Sequence, residues 1–350
     1  LSPDQVYYAV KCNSLPPILS TLAEAGCGFE ANNAEELEKV LESGAPAERI
    51  INSSPIASAR DVRAMYAAGV RIFALDSADQ ADNLKHNAPK ARCNLRIYTT
   101  NEGSAFDLSK RLGVHVVDAP ELLNHAKKRD LVVEGLTFHV GSQCTSLVNW
   151  REALRACSGL FRRYRELRTI NIGGGFPVCY NGSVPSIHEI GVEIRAAIAG
   201  AFDTPPVIHA EPGRFIVGDA ALTCASVIQT DERPPRSRAV VDLSVFAGLI
   251  EIIESGDGFR YPVETDAKGE PATYRIGGAS CAGTDILARE VRLPRLRADH
   301  RDDLNSSRIY LLNTGAYTLD YIAVGQKAGF NGSRLPGVYY LRNGLIEKDS

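Results

Sequence analysis

The chain has no CxxC pair, no histidine cluster, no surplus of positive charge and no long hydrophobic run. Its eight cysteines (Cys12, Cys27, Cys93, Cys144, Cys157, Cys179, Cys224 and Cys281) are scattered, which argues against a disulfide framework or a zinc site and fits a reducing cytoplasm. A formal net charge of -3 offers no basic face to nucleic acid. No stretch approaches the ~20 apolar residues of a membrane-spanning helix. Neither a metal, a nucleic acid nor a membrane is therefore expected as a partner, and small-molecule chemistry is. What remains is ordinary globular material: 350 residues, 44% hydrophobic and 23% charged, enough for a large core and for two domains. No signal peptide opens the chain, which begins almost on a strand, so a preceding segment is expected.

Short β-rich apolar runs alternate with helix-patterned stretches, the mark of βα units around a parallel sheet. Eight such runs occur: Val6 to Val10, Gly28 to Ala31, Arg49 to Ser53, Arg71 to Leu75, Asn94 to Thr99, Glu134 to Val140, Thr169 to Ile172 and Val207 to Ala210. Apolar spacings of three and four predict helices between them, for example over Pro16 to Ala25, Ala34 to Ser43, Ala57 to Ala68 and Asn149 to Leu167. Eight repeats without a reversal predict an α/β fold, a (β/α)8 TIM-like barrel over residues 1–214, with a doubly wound open sheet as the competing topology. From Phe215 the pattern changes to short alternating runs of Val, Ile, Tyr and Thr broken by Gly and Pro, which predicts a C-terminal all-β domain over 215–350.

In such a barrel the reactive groups sit at the C-terminal ends of the strands, so the strand ends form a candidate site. They carry Lys11, Glu30, Ser53-Ser54, Asp76, Arg96, His139, Gly173-Gly174-Gly175 and Glu211. Singly, each has an ordinary structural reading: a solvated lysine, a helix-capping carboxylate, a hydrogen-bonded rim histidine, a tight glycine turn. Together they are coherent. A lysine amine at a strand tip suits a carbonyl compound, and three successive glycines let backbone N–H groups approach a phosphate. Glu211 and Arg214, three residues apart at the eighth strand, offer a carboxylate for a pyridine nitrogen and a cation for a phosphate dianion. The compound that has all three features is pyridoxal 5'-phosphate.

The motifs Tyr8-Ala9-Val10-Lys11-Cys12-Asn13, Phe138-His139-Val140-Gly141-Ser142-Gln143, Gly173-Gly174-Gly175-Phe176-Pro177, Glu211-Pro212-Gly213-Arg214, Gly315-Ala316-Tyr317-Thr318 and Phe330-Asn331-Gly332 span nearly the whole chain. On them the chain resembles the fold-type III pyridoxal-phosphate decarboxylases with an alanine racemase-like barrel, in the ornithine/lysine branch of the ornithine, diaminopimelate and arginine decarboxylases. The resemblance implies that Lys11 binds the cofactor as a Schiff base, that Glu211 pairs with the pyridine nitrogen and that His139 stacks on the ring. Ser142, Gly174, Gly175, Arg214 and Tyr317 would bind the phosphate, and Glu30, Glu36 and Arg96 would orient Lys11 and the ring. Glu30 stands where ornithine decarboxylases carry Asp. In the family the β domain includes residues ahead of the lysine strand.

For the substrate, the resemblance implies contacts from Asp242, Cys281, Ala282, Asp285 and Phe330, with Asp242 facing a distal amine and Cys281 protonating the α-carbon. It also implies a homodimer whose two active sites are shared, each completed by the partner's cysteine loop. The chain departs from the pattern at Ala282, since ornithine decarboxylases carry Asp after that cysteine. Loss of one counter-charge for a terminal ammonium, worth roughly 1.5–3 kcal/mol, turns expectation toward a basic L-amino acid or one with a modified distal amine, such as a siderophore or antibiotic intermediate. The alternatives are diaminopimelate decarboxylase, which carries Glu after that cysteine, and a non-catalytic regulatory paralogue like the antizyme inhibitors.

Overall fold

The structure, a computed structural model, describes residues 4–348 apart from 181, 234–236, 257, 302–304, 323–335 and 343. The chain divides into two compact units, residues 1–218 and 219–350. The boundary expected at 214/215 falls inside a short helix, Arg214–Val217, of the first unit.

In the first unit the eight expected strands follow one another around a ring in chain order: Gln5–Ala9, Gly28–Glu30, Ile50–Ile51, Ile72–Leu75, Arg92–Arg96, Val132–Thr137, Thr169–Asn171 and Val207–Ala210. The first strand pairs in parallel with the eighth, Gln5 opposite His209. Between the third and fourth the ladder is one residue, Asn52, whose N–H donates to Ile72 O at 3.0 Å and whose carbonyl accepts from Ala74 N–H at 2.8 Å. A doubly wound sheet would leave two open edges and reverse its strand order, and this ring does neither. Strands buried on both faces need continuous apolar sequence, and Tyr7, Tyr8, Ala9, Ile50, Ile51, Phe73, Ala74 and Leu75 are all buried.

The seven crossovers hold helices Pro16–Glu24, Ala34–Glu42, Ala59–Ala68, Ala78–Asn87, Ala119–Lys128, Leu147–Arg163 and Ile187–Ala201. Local sequence marks their starts. The side chains of Asn33, Ser58, Ser77 and Ser186 each accept the backbone N–H three residues on, and Ser186 and Glu189 form a reciprocal capping box. Gly69, at φ 114°, ends the third helix in the left-handed conformation. Buried Trp150, on the sixth helix, stacks on Phe176 at 5.6 Å beyond the seventh strand and packs that helix over the glycine turn.

Two local expectations are corrected. The sixth strand ends at Thr137 rather than Val140, so His139 stands in the loop beyond it. An unforeseen ribbon, Ser104–Phe106 antiparallel to Ser142–Cys144, carries Ser142; strands of three residues are too short to show an alternation in sequence.

The second unit is built on a six-stranded sheet in the order Val263–Thr265, Arg308–Leu311, Thr223–Asp231, Ser237–Val241, Pro271–Gly277, Ile286–Pro294. It is antiparallel except where Ser237–Val241 runs parallel to Pro271–Gly277. Val227, Val241, Tyr274, Ile276 and Ile309 form its apolar core. Among the described residues, no helix is long and apolar enough to cross a membrane and no group of three His, Cys, Asp or Glu is placed to hold a metal ion.

Candidate active site

The barrel strands deliver polar and ionisable side chains at their C-terminal ends, and the seventh delivers the glycine turn as well. After Ala9 the backbone tightens into one 3-10 turn, Val10–Cys12, which presents Lys11. Its ammonium donates to Glu30 Oε2 at 2.5 Å. Glu30 ends the second strand and is only 1% exposed, while Lys11 is exposed, so a buried carboxylate holds the amine at the open end of the barrel. The other Glu30 oxygen is buried without a hydrogen-bond partner.

Glu211, directly after the eighth strand, is buried. Its Oε1 accepts hydrogen bonds from the Ser53 hydroxyl and the Asn171 carboxamide. Burial, then repulsion from Glu30, raises its carboxyl to about 7, against the pull of Ser53, Lys11 and Asn171. The Asn171 carbonyl oxygen accepts Gly173 N–H at 2.9 Å, which fixes the direction of its amide. Burial lowers the pKa of Arg96, while Glu211, Asp76 and Glu30 oppose that shift. Glu36 accepts from Asn32 N–H at 2.8 Å and from its side chain at 3.1 Å; burial and then Glu30 raise its pKa, while the Asn32 hydrogen bonds and the Lys11 charge oppose that shift.

His139 is held as a neutral ring. Burial, then the charges of Arg96 and Lys11, lower it to about 3. Its Nδ1 accepts Gly141 N–H at 3.0 Å, which leaves the proton on Nε2. Its carbonyl is clamped by Thr99 Oγ1 at 2.9 Å and Asn101 Nδ2 at 2.8 Å. A flat neutral imidazole fixed in this way is suited to lie against an aromatic ring.

The glycine turn is a cradle that side chains would fill. A Cβ on Gly174 would come within 2.6 Å of Glu211 O, and one on Gly175, whose φ is +89°, would strike Gly141 O. On the same side of the barrel, Arg214 is 3% exposed and donates through Nη2 to Ser142 Oγ at 3.2 Å and through Nη1 to Tyr180 OH at 3.2 Å. A buried guanidinium with hydroxyls beside a side-chain-free turn suits a phosphate dianion. A buried carboxylate suits a pyridine nitrogen, and an exposed amine suits the carbonyl, so the donor set fits pyridoxal phosphate. Asn171 and Tyr180 escaped sequence reasoning. The one available sign was a polar Asn inside the apolar run Ile170-Asn171-Ile172.

The remaining candidates belong to the second unit. Asp242 Oδ1 accepts Ser226 N–H at 2.7 Å, tying two strands. Cys281 is exposed, and Ala282 follows it on the loop Gly278 to Asp285. Asp285, expected at the substrate, is 4% exposed and faces inward: its carboxylate accepts from Ser244 Oγ at 2.9 Å, Val245 N–H at 2.9 Å and Ser280 N–H at 3.0 Å. It shapes the cysteine loop. Tyr317 has left-handed backbone at φ 54°. Phe330 and the motif at 330–332 lie outside the described residues.

A closed βα barrel that offers a lysine, a buried carboxylate and a cationic cradle at its strand ends defines an enzyme working through a phosphorylated aldehyde cofactor. The sequence model of the family described as "Pyridoxal-dependent decarboxylase, pyridoxal binding domain" matches residues 1–218. The chain is 31% identical over 323 residues to a lysine/ornithine decarboxylase of Selenomonas ruminantium, covering 89% of this chain and 78% of that protein. It is also 29% identical to antizyme inhibitor 2 of Xenopus laevis, over 95% of this chain and 75% of that one. The crystal structure of lysine/ornithine decarboxylase from Vibrio vulnificus, complexed with putrescine, superposes with a TM-score of 0.80 at 29% identity, covering 91% of this chain and 84% of that one. The chain belongs to the pyridoxal-dependent decarboxylases. It is a carboxy-lyase and its cofactor is pyridoxal 5'-phosphate.

Proposed function

We propose that the enzyme removes the α-carboxylate of a basic L-amino acid, or of one whose distal amine is acylated or replaced, such as a siderophore or antibiotic intermediate. The observation that carries the reaction is the paired arrangement of Lys11 on Glu30 and of Glu211 on Ser53 and Asn171 at the strand ends. The likeness to lysine/ornithine decarboxylases, one of them solved with a diamine, supports a basic substrate.

Pyridoxal phosphate, when bound, supplies an electron sink conjugated to the substrate's α-carbon. Lys11 provides the amine that engages its carbonyl, and Glu30 holds the proton of that amine when it is free. Glu211 would keep a proton on the ring nitrogen, His139 would lie against the ring, and Arg96 would set the local field. Ser142, Gly174, Gly175, Arg214 and Tyr317 would hold the phosphate. Asp242 faces the far end of the substrate, and Cys281 delivers a proton to the α-carbon after CO2 departs. The enzyme works as a homodimer with shared sites, in a reducing cytoplasm where its eight cysteines persist without disulfides.

The substrate reading turns on Ala282. With one carboxylate fewer, a terminal ammonium loses a charge-assisted hydrogen bond worth roughly 1.5–3 kcal/mol, about tenfold to a hundredfold in affinity. Ala282 also removes the Glu expected of a diaminopimelate decarboxylase. A mass-spectrometric screen for amine products over ornithine, lysine, arginine, diaminopimelate and their N-acylated derivatives should favour amine-modified substrates. Efficient turnover of free ornithine or lysine, with capped analogues ignored, would defeat that reading. Separately, Lys11→Ala should abolish the visible absorption of the lysine-bound cofactor and lower decarboxylation by about a thousandfold or more. A wild-type protein that stays colourless after reconstitution would instead be a regulatory paralogue.

A further inference from the structure

Glu211 is a carboxylate of the barrel mouth on which two side-chain donors converge at a single oxygen. Both side-chain donors, the Ser53 hydroxyl and the Asn171 carboxamide, address Oε1. They come from opposite sides of the ring, Ser53 beyond the third strand and Asn171 at the end of the seventh. Each donor is itself held. Asn52, next to Ser53, is the residue that closes the barrel, and its side chain donates to Ala31 O at 2.8 Å. Asn171 is fully buried and anchored to Gly173 N–H. Ser53 and Glu211 lie 158 residues apart in sequence, and both are buried.

We propose that Ser53 is a positioning residue for decarboxylation: with Asn171 it pins Glu211 through Oε1, keeps the carboxylate ionised, and leaves Oε2 to the cofactor's ring nitrogen. This rests on the reading that Glu211 faces that nitrogen. The electrostatics make such help necessary. Glu211 is desolvated and repelled by Glu30, Lys11 and Arg96 are its cationic neighbours, and the Tyr7 phenol lies within its field. Burial favours the neutral acid, and a neutral acid cannot hold a proton on the ring. Two hydrogen bonds to the charged form counter that tendency, and concentrating them on one oxygen also fixes the carboxylate's rotation.

Ser53→Ala removes one donor and changes little volume; Ser53→Thr keeps the hydroxyl and serves as the rescue. In cofactor-free protein, the carboxyl band read by infrared difference spectroscopy between wild type and Glu211→Gln gives the Glu211 titration midpoint. Ser53→Ala should move that midpoint up by about one pH unit or more, the size of a lost hydrogen bond to a charged group, and Ser53→Thr should restore it. In the loaded enzyme the acid limb of the kcat profile should move up by a similar amount with KM unchanged. kcat should fall on the order of tenfold at pH 6 and recover toward pH 9. An unmoved midpoint in Ser53→Ala overturns the proposal. A moved midpoint with an unmoved acid limb removes Glu211 itself from the reaction, which overturns both the proposal and the reading beneath it.

Discussion

Glu211 shows how burial turns an ordinary residue into a tuned one. With its carboxyl raised to about 7, the folded state binds more protons than the unfolded state between the free value of about 4.3 and neutrality. The unfolding free energy contributed by this group therefore falls as pH rises through that window, and above about pH 7 the full cost, about 3–4 kcal/mol, is present. Glu211→Gln keeps the acceptor oxygen for Ser53 and Asn171 and removes the charge. Urea unfolding of the cofactor-free protein should show the variant gaining about 2–3 kcal/mol on wild type between pH 5 and pH 8. An equal difference at both pH values would mean that Glu211 ionises normally. Lys11, His139, Glu211 and Arg214 were legible as strand-end chemistry because a barrel turns position along the chain into position at the mouth. Ser53 was legible as a strand-end residue too, but its pairing with Glu211 was not, nor were Asn171 and Tyr180, because a hydrogen bond across 158 residues leaves no local trace.

Among elements, helices and strands followed local rules and loops did not. Asn33, Ser58, Ser77 and Ser186 announce helix starts because a side-chain oxygen meets the first free N–H groups a fixed three residues on. The cysteine loop has no such rule. Asp285 reads in sequence as one more acid near a substrate, yet in the fold it is the acceptor around which Ser244, Val245 and Ser280 are arranged. Asp285→Ala would leave three donors, two of them buried, without their acceptor. Thermal or urea unfolding should show a loss of about 2–4 kcal/mol, with slower decarboxylation as Cys281 loses its support. Unchanged stability with a raised KM alone would return Asp285 to the substrate.

At the scale of the whole molecule, the chain joins a barrel that carries the lysine to a sheet unit that carries the cysteine. If each active site takes its cysteine from a partner, Lys11→Ala and Cys281→Ala proteins, each nearly inactive, should complement one another on mixing and exchange. Half of the dimers would be mixed and one of their two sites intact, so about a quarter of wild-type activity should return. No recovery after verified subunit exchange would place Lys11 and Cys281 in one chain's own site. Sedimentation at matched concentrations checks that the variants keep the wild-type oligomeric state.

The amino-acid sequence by itself determined the eightfold βα repeat, the change to β structure in the last third and the chemical class of the strand-end residues. Periodicity, capping and residue type act over a few neighbours and survive in a one-dimensional text. The tertiary structure decided which oxygen of Glu211 is occupied, that Glu30 rather than solvent holds Lys11, that His139 is neutral and that Asp285 faces inward. Each of these depends on desolvation and on pairs brought together from distant strands, and only closure of the barrel or packing of the sheet creates either.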